Sequence, residues 1–429
     1  MTTAAGSADS TAFIRPNQLR GDALQARIDA LAQFSSDPNT LTRLTLTQAH
    51  RNAADMVMSW MLQAGLQVHL DPLGTVVGRR EGAQPHAKTL LLGSHIDTVR
   101  NAGKYDGNFG VIAAIAAVDK LNAEGIKLPY AIEVLAFGDE EGVRYSSTLT
   151  GSRAVAGALD PAALDQKDAD GISRREALVR FGVDPGYAPR QARDPEKTVG
   201  YIEVHIEQGP VLESEGLPVG IVTAINGATR GAVQIKGVSG HSGTLPMSLR
   251  HDALAAAAEL ILAVEMVGRS KRGLVATVGR IETPNGAVNI VPGAANLLLD
   301  VRSPNDVDRK EAVSAILDQM QRIALRRGVE ASFTTNYDMS AVPCDAHLMD
   351  CIARGFERIG QPDYRLPSGA GHDAMSFHGR IPIAMIFARC RGGVSHNPAE
   401  FTSPGDMEAA TAALYESLLT LAEDFGVVE

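Results

Sequence analysis

Residues 89–99, Thr-Leu-Leu-Leu-Gly-Ser-His-Ile-Asp-Thr-Val, and residues 130–142, Tyr-Ala-Ile-Glu-Val-Leu-Ala-Phe-Gly-Asp-Glu-Glu-Gly, decide the fold. Each is an apolar run of strand length that stops at glycine and is followed at once by titratable side chains. Between them lies Gly110–Glu124, apolar on all sides and long enough for a buried helix. Strand, helix, strand with polar residues at the strand C-termini is the α/β pattern. Such sheets bind ligands at those ends.

Outward from this unit, a helical pattern runs through residues 38–65, and Leu66–Leu70 and Thr75–Arg79 read as strands turned by Pro72 and Gly74. Residues 160–198, rich in Asp, Arg, Pro and Gly, read as an irregular connection with a short helix. Near Val219 the texture changes. Gly231–Val238, Leu274–Glu282, Ala294–Arg302 and Val329–Tyr337 are expected strands, with helices over Ser248–Ser270 and Arg309–Gly328. That is the β-α-β-β-α-β order of a ferredoxin-like unit. A helix over His347–Ile359, a buried strand over Ile381–Phe387 and a helix over Met407–Glu423 follow. The expectation is a discontinuous α/β domain, residues 16–219 and 338–429, with a smaller α+β domain, residues 220–337, inserted into it. Residues 1–15 read as a disordered tail.

Composition narrows the chemistry. With 40 basic against 50 acidic residues the net charge is −10, which argues against a nucleic-acid binder. The longest apolar run, Val111 to Val118, is far too short to span a membrane. Met1 to Ala12 has no apolar segment of the secretory kind. Cys344, Cys351 and Cys390 show no metal-ligand spacing and fit a reducing cytoplasm, so a metal site is expected from His and carboxylates alone.

Six of the histidines, His50, His69, His86, His251, His347 and His378, lack evident polar company and read as surface or internally satisfied. The informative residues lie in clusters. His95 and Asp97 face one side of an extended segment, so one can ligate a metal while the other orients it. Asp106 sits in a glycine-rich turn before the apolar helix, where an N-cap is the plain alternative. Asp139, Glu140 and Glu141 crowd the end of a buried strand and need a cation or raised pKa values to coexist. Glu203, His205 and Glu207 alternate with apolar residues, which makes His205 a candidate ligand with Glu207 or Gln208 facing substrate. His396 lies in a turn after a buried strand and two glycines. Each cluster alone is weak; the five together, on strand ends of an α/β scaffold, read as a metal site.

The pieces Gly-Ser-His-Ile-Asp-Thr-Val, Glu-Glu-Gly-Val-Arg-Tyr, His-Ile-Glu-Gln-Gly-Pro, Ser-Gly-Ala-Gly-His-Asp-Ala (368–374) and Ser-His-Asn-Pro-Ala-Glu resemble the hydantoinase/carbamoylase amidases. These belong to the metal-dependent aminoacylase/carboxypeptidase superfamily, and the resemblance covers nearly the whole chain after residue 15. It implies a two-metal aminopeptidase-like catalytic domain and an inserted domain that dimerises. It implies two divalent ions, zinc foremost, with manganese, cobalt or nickel acceptable. Asp106 would bridge them, His95 and His205 completing one ion and Glu141 and His396 the other. Glu140 resembles the general base and Asp97 the orienter of His95. His241 resembles an oxyanion-stabilising imidazole supplied by the partner subunit. Gln208, His241, Asn289, Arg302, Gly371 and His372 resemble substrate-binding positions, with Asn289 and Arg302 clamping a carboxylate. The implied reaction is hydrolysis of the ureido group of an N-carbamoyl-L-amino acid, giving amino acid, carbon dioxide and ammonia. Allantoate and N-carbamoyl-β-alanine are the alternative substrates. More distant readings are an aminopeptidase or deacylase, which His205 in place of a carboxylate disfavours, and a non-catalytic binding protein, which would normally have lost a ligand or the base.

Overall fold

The computed structural model describes residues 19–426, so the tail expected over residues 1–15 lies outside the described residues. A nine-stranded sheet forms the larger part. Its four adjacent inner strands, Ala131–Phe137, Thr89–His95, Thr198–Ile206 and Ile383–Ala388, run parallel. Leu90, Leu91 and Leu92 are all fully buried, because an inner parallel strand is covered on both faces. That is why these strands read as continuous apolar runs. Helix Asn108–Ala123 lies against this sheet and is covered in turn by helices Gly21–Leu31 and Pro404–Glu423. Thirteen of its sixteen residues are buried, which explains its lack of a polar face.

The smaller sheet has the order Glu330–Met339, Gly227–Lys236, Ala294–Ser303, Val275–Glu282, with every pair antiparallel. Helices Ala253–Gly268 and Asp306–Arg327 pack on one face through Ala256, Leu260, Ile316 and Met320. Strand Val219–Ile225, which a boundary at residue 220 assigns to this unit, instead pairs with Ile383–Ala388 in the large sheet. The small sheet therefore starts at Gly227.

Several elements differ from the sequence reading for local reasons. The helix expected over residues 38–65 occupies only Gln48–Gln63, because Thr47 caps it by accepting a hydrogen bond from the His50 amide. The helix expected from Ser248 begins at Ala253, where Asp252 accepts from the Ala255 amide. Helix Gly21–Leu31 lies outside the sequence expectation; its buried face has only three apolar side chains, Leu24, Ile28 and Leu31, over three turns.

Candidate metal centre

The inner parallel strands end on one side of the large sheet, and each delivers ligand-type side chains there. Thr89–His95 ends in His95, Ala131–Phe137 runs on to Glu140 and Glu141, Thr198–Ile206 carries His205, and Ile383–Ala388 leads to His396. Asp106 comes from the turn before helix Asn108–Ala123. Gly107 caps that helix at φ 65°, and a Cβ there would fall 2.4 Å from the His95 ring, so glycine alone lets the turn close over the imidazole.

Asp106 is the hub. Its Oδ1 lies 3.1 Å from His205 Nε2 and 3.4 Å from His95 Nε2. Its Oδ2 lies 3.3 Å from His396 Nε2, which is 3.5 Å from Glu141 Oε2. One carboxylate thus serves two donor groups, one at each oxygen. Glu140 Oε2 stands 3.9 Å from His95 Nε2. His205 turns Nδ1 to the Ile206 carbonyl at 2.8 Å, and His95 turns Nδ1 to the Asp97 carbonyl at 3.1 Å. Both Nε2 lone pairs therefore face inward, as metal ligation needs.

The electrostatics fit the same reading. Burial would raise the Asp106 pKa, yet contacts with His205, His396 and His95 hold it well below the usual carboxylate range. Burial pushes Glu140 well above that range, and Glu141 adds like-charge repulsion. Burial and Asp106 push Glu141 up to about 7. Imidazole nitrogens and carboxylate oxygens crowded in a dry site, without thiolate, form a donor set that divalent cations satisfy.

Asp97 stands against both His95 and the acidic turn. Its carboxylate oxygens accept the Glu140 and Glu141 amides at 3.1 and 3.2 Å, and its Oδ1 stands 3.6 Å from His95 Nδ1. Its backbone carbonyl and its carboxylate both lie beside the imidazole, and the carboxylate also fixes the acidic turn. Gln208, at a positive φ of 57°, donates from Nε2 to Asp106 Oδ2 at 2.7 Å. His396, at φ 53°, occupies the same left-handed region, a strain that non-glycine residues carry where function fixes the backbone. Glu207 does not face substrate: its oxygens accept the Val211 and Leu212 amides and cap helix Val211–Glu215.

Further residues complete the surroundings, two of them, His372 and Gly371, expected at substrate. Glu400 Oε1 accepts the Tyr105 and Asp106 amides at 2.8 and 3.1 Å, and its Oε2 accepts the Ser395 hydroxyl at 2.9 Å. It ties the Asp106 turn to the His396 loop; the acid closing Ser-His-Asn-Pro-Ala-Glu was its only trace in the sequence. His50 is not a surface histidine. It is fully buried, a Cβ on Gly138 would meet its ring at 2.2 Å, and burial lowers its pKa to about 4. His372 sets its ring edge against His205 with centroids 4.5 Å apart, and its Nε2 lies 2.7 Å from the Ser368 hydroxyl. A Cβ on Gly371 would stand 3.7 Å from Glu140 Oε1, so that glycine lines the approach to the acid.

Arg302 donates from Nη1 to the Gly369 carbonyl at 2.7 Å, which brings it beside the Gly371 segment. Its Nε and Nη2 hold both oxygens of Asp300 at 2.9 Å. It lines an open groove of about 900 Å³ with Arg230, Asp300 and Tyr337. His241 and Asn289 are not brought to the cluster within one chain. Both are exposed, the His241 strand pairs with Ile290–Val291, and the Asn289 carbonyl accepts the Ser242 amide.

Residues 91–420 match peptidase family M20/M25/M40. An N-carbamoyl-L-amino acid amidohydrolase of Geobacillus stearothermophilus is 40% identical over 94% of this chain and 99% of its own length. An allantoate deiminase of Arabidopsis thaliana is 38% identical over 93% of this chain and 82% of its own. A crystal structure of a hydantoinase/carbamoylase family amidase from Burkholderia multivorans is 31% identical and superposes with a TM-score of 0.88, covering 94% of this chain and 98% of that one. The fold, the strand-end cluster and these likenesses agree: the chain belongs to peptidase family M20/M25/M40 and to its hydantoinase/carbamoylase amidases, hydrolases of carbon–nitrogen bonds.

Proposed function

We propose that this protein hydrolyses the ureido group of an N-carbamoyl-L-amino acid, with two divalent metal ions per chain. The observation that carries this reading is Asp106, whose two oxygens face separate groups, His95 with His205 and His396 with Glu141. Zinc is the leading choice for such an O/N set, with manganese, cobalt and nickel chemically acceptable. When bound, the ions would acidify water and polarise the ureido carbonyl.

The chain supplies the rest. Glu140, protonated more readily than an ordinary carboxylate, takes the water proton and passes it to the departing nitrogen. Asp97 holds Glu140 and Glu141 in place through their amides. Asp300 and the Gly369 carbonyl take three of the Arg302 N–H groups, and the remaining one on each of Nη1 and Nη2 is offered to the substrate carboxylate near Gly371, while Asn289 adds an amide. His241, exposed on the small unit, serves the oxyanion of a second copy, so the enzyme works as a homodimer through that unit, from Gly227 onward. The substrate is a small ureido acid, the site acts in the cytoplasm, and neither nucleic acid nor membrane takes part. Among the described residues no helix is long and apolar enough to cross a membrane.

Allantoate is the second reading, favoured by the allantoate deiminase at 38% identity. Turnover of N-carbamoyl-L-amino acids, N-carbamoyl-β-alanine and allantoate, compared with the Glu140→Gln variant, separates the substrates. Highest kcat/KM on an N-carbamoyl-L-amino acid is the expected result, and activity confined to allantoate overturns it.

A further inference from the structure

Away from the candidate metal centre, two neighbouring helices bring an imidazole, a thiol and a carboxylate to one point. His347 and Cys351 stand one turn apart on helix Ala346–Arg358, and Asp424 follows helix Pro404–Glu423. His347 Nε2 is 3.5 Å from Asp424 Oδ2, Cys351 Sγ is 3.3 Å from the same oxygen, and Sγ and Nε2 are 3.9 Å apart. A tetrahedral ion with bonds of ~2.0 Å to nitrogen or oxygen and ~2.3 Å to sulfur needs its ligand atoms ~3.3–3.6 Å apart. The three donors already hold that spacing to within a few tenths of an ångström. From this geometry we infer a second kind of metal site, a Cys-His-Asp site for zinc or a similar thiophilic divalent ion.

Two further features favour a cation here. The carbonyl end of helix Pro404–Glu423 is its negative pole, and Asp424 extends it. A cationic side chain has also already been drawn in: Arg354 Nη2 donates to Asp424 Oδ2 at 2.6 Å and approaches Cys351 Sγ at 3.2 Å. Arg354 is the competitor a metal must displace, and it has somewhere to go. Its Nη1 is already 3.8 Å from Glu423 Oε2. On binding, the Cys351 S–H bond breaks, a metal–sulfur bond forms and one proton leaves to solvent. Burial holds this thiol at about 11, so the ion must supply the driving force for that loss. The donor set also separates this site from the strand-end cluster. A thiolate selects zinc, cobalt or copper over magnesium or calcium, and the cluster around Asp106 has no thiol.

Cobalt(II) titration of the full-length protein tests the site, because only a thiolate ligand gives a near-ultraviolet sulfur-to-cobalt charge-transfer band. The expected result is a band that saturates at one equivalent beyond those the Asp106 cluster takes up, is displaced by zinc(II) and disappears in Cys351→Ser. His347→Ala, at an exposed position that does not threaten folding, is expected to weaken binding by at least ~10-fold. Arg354→Gln, by removing the competing cation, is expected to strengthen it. Absence of the band in the wild-type protein overturns the site, and so does a band that survives Cys351→Ser. Should Cys351→Ser fail to fold, unchanged cobalt affinity in His347→Ala decides against it.

Discussion

The proposed division of labour between Glu140 as base and Glu141 as ligand rests on where each carboxylate points. Glu141 Oε2 meets His396 Nε2 at 3.5 Å, whereas Glu140 reaches back to His95 at 3.9 Å, beside Gly371. Glu140→Gln is therefore expected to lower kcat by at least ~10²-fold while metal analysis shows unchanged content, since a general base contributes that much without being a ligand. Near-normal turnover of a fully metallated variant would remove Glu140 from the mechanism. Asp106→Ala is expected to reduce metal content from two ions to one or none, because both groups of donors lose the oxygen they share. Two ions retained in that variant would refute the bridge. The ligand-type residues were legible because each follows its own strand end in the sequence. What surrounds them was not. Glu400 acts by touching a turn some 295 positions earlier, and Asp300 accepts from Arg230 across a strand register as well as from Arg302 two residues on. No local pattern carries the Glu400 and Arg230 contacts. The same holds for His347, Cys351 and Asp424: in the sequence the histidine lacks polar company and the cysteine lacks ligand spacing, because the third donor comes from the end of another helix.

The elements were legible in type more than in extent. Apolar continuity marked the buried strands and the helix Asn108–Ala123, whereas capping residues set where helices start, as Thr47 and Asp252 show. The turn between strands Gln67–Leu70 and Val76–Arg80 shows what such local chemistry costs. Asp71 Oδ1 accepts the Leu73 and Thr75 amides at 2.8 and 2.9 Å, but its Oδ2 has no partner and the side chain is buried. Burial pushes its pKa from 3.8 to about 6 in spite of those bonds. A carboxyl that binds its proton more tightly in the folded state stabilises the fold below the unfolded pKa. That advantage is lost as the pH rises through the folded value. The loss is at most about 3 kcal/mol for a shift of this size. Asp71→Asn keeps an acceptor for both amides and carries no charge. Its urea midpoint is expected to fall less between pH 4 and 7 than that of the wild-type protein, since only the Asp71 contribution is removed. Parallel pH profiles for the two proteins would show that Asp71 does not titrate in this range.

The folded chain leaves one unit unfinished. In the small sheet, Val275–Glu282 is an edge strand, and helix Ala253–Gly268 beside it turns Leu262 and Met266 to solvent at 66% and 61% exposure. An edge strand next to an apolar helix face is a surface that a second copy can cover, continuing the sheet and burying both helices. On the same unit, His241 and Asn289 stand exposed with their backbone contacts confined to it. In the proposed function the Asp106 cluster supplies the base and the ligands, and His241 of a second copy supplies the donor to the oxyanion. An imidazole aimed at that oxygen contributes ~3 kcal/mol to the transition state. If each site borrows His241 from the other chain, Glu140→Gln and His241→Ala dimers are both nearly inactive for different reasons. In a mixed dimer, one site combines an intact Glu140 cluster with an intact His241, and the other lacks both. Half of the heterodimers' sites are then whole, so mixing the two variants under conditions of subunit exchange is expected to restore activity, up to about a quarter of wild type at equal amounts. His241→Ala alone is expected to lower kcat with unchanged metal content, and Arg302→Lys to raise KM, because a point charge cannot replace a two-bond fork. No recovery after demonstrated exchange would show that each chain completes its own site, and would leave His241 as a turn residue of the small unit.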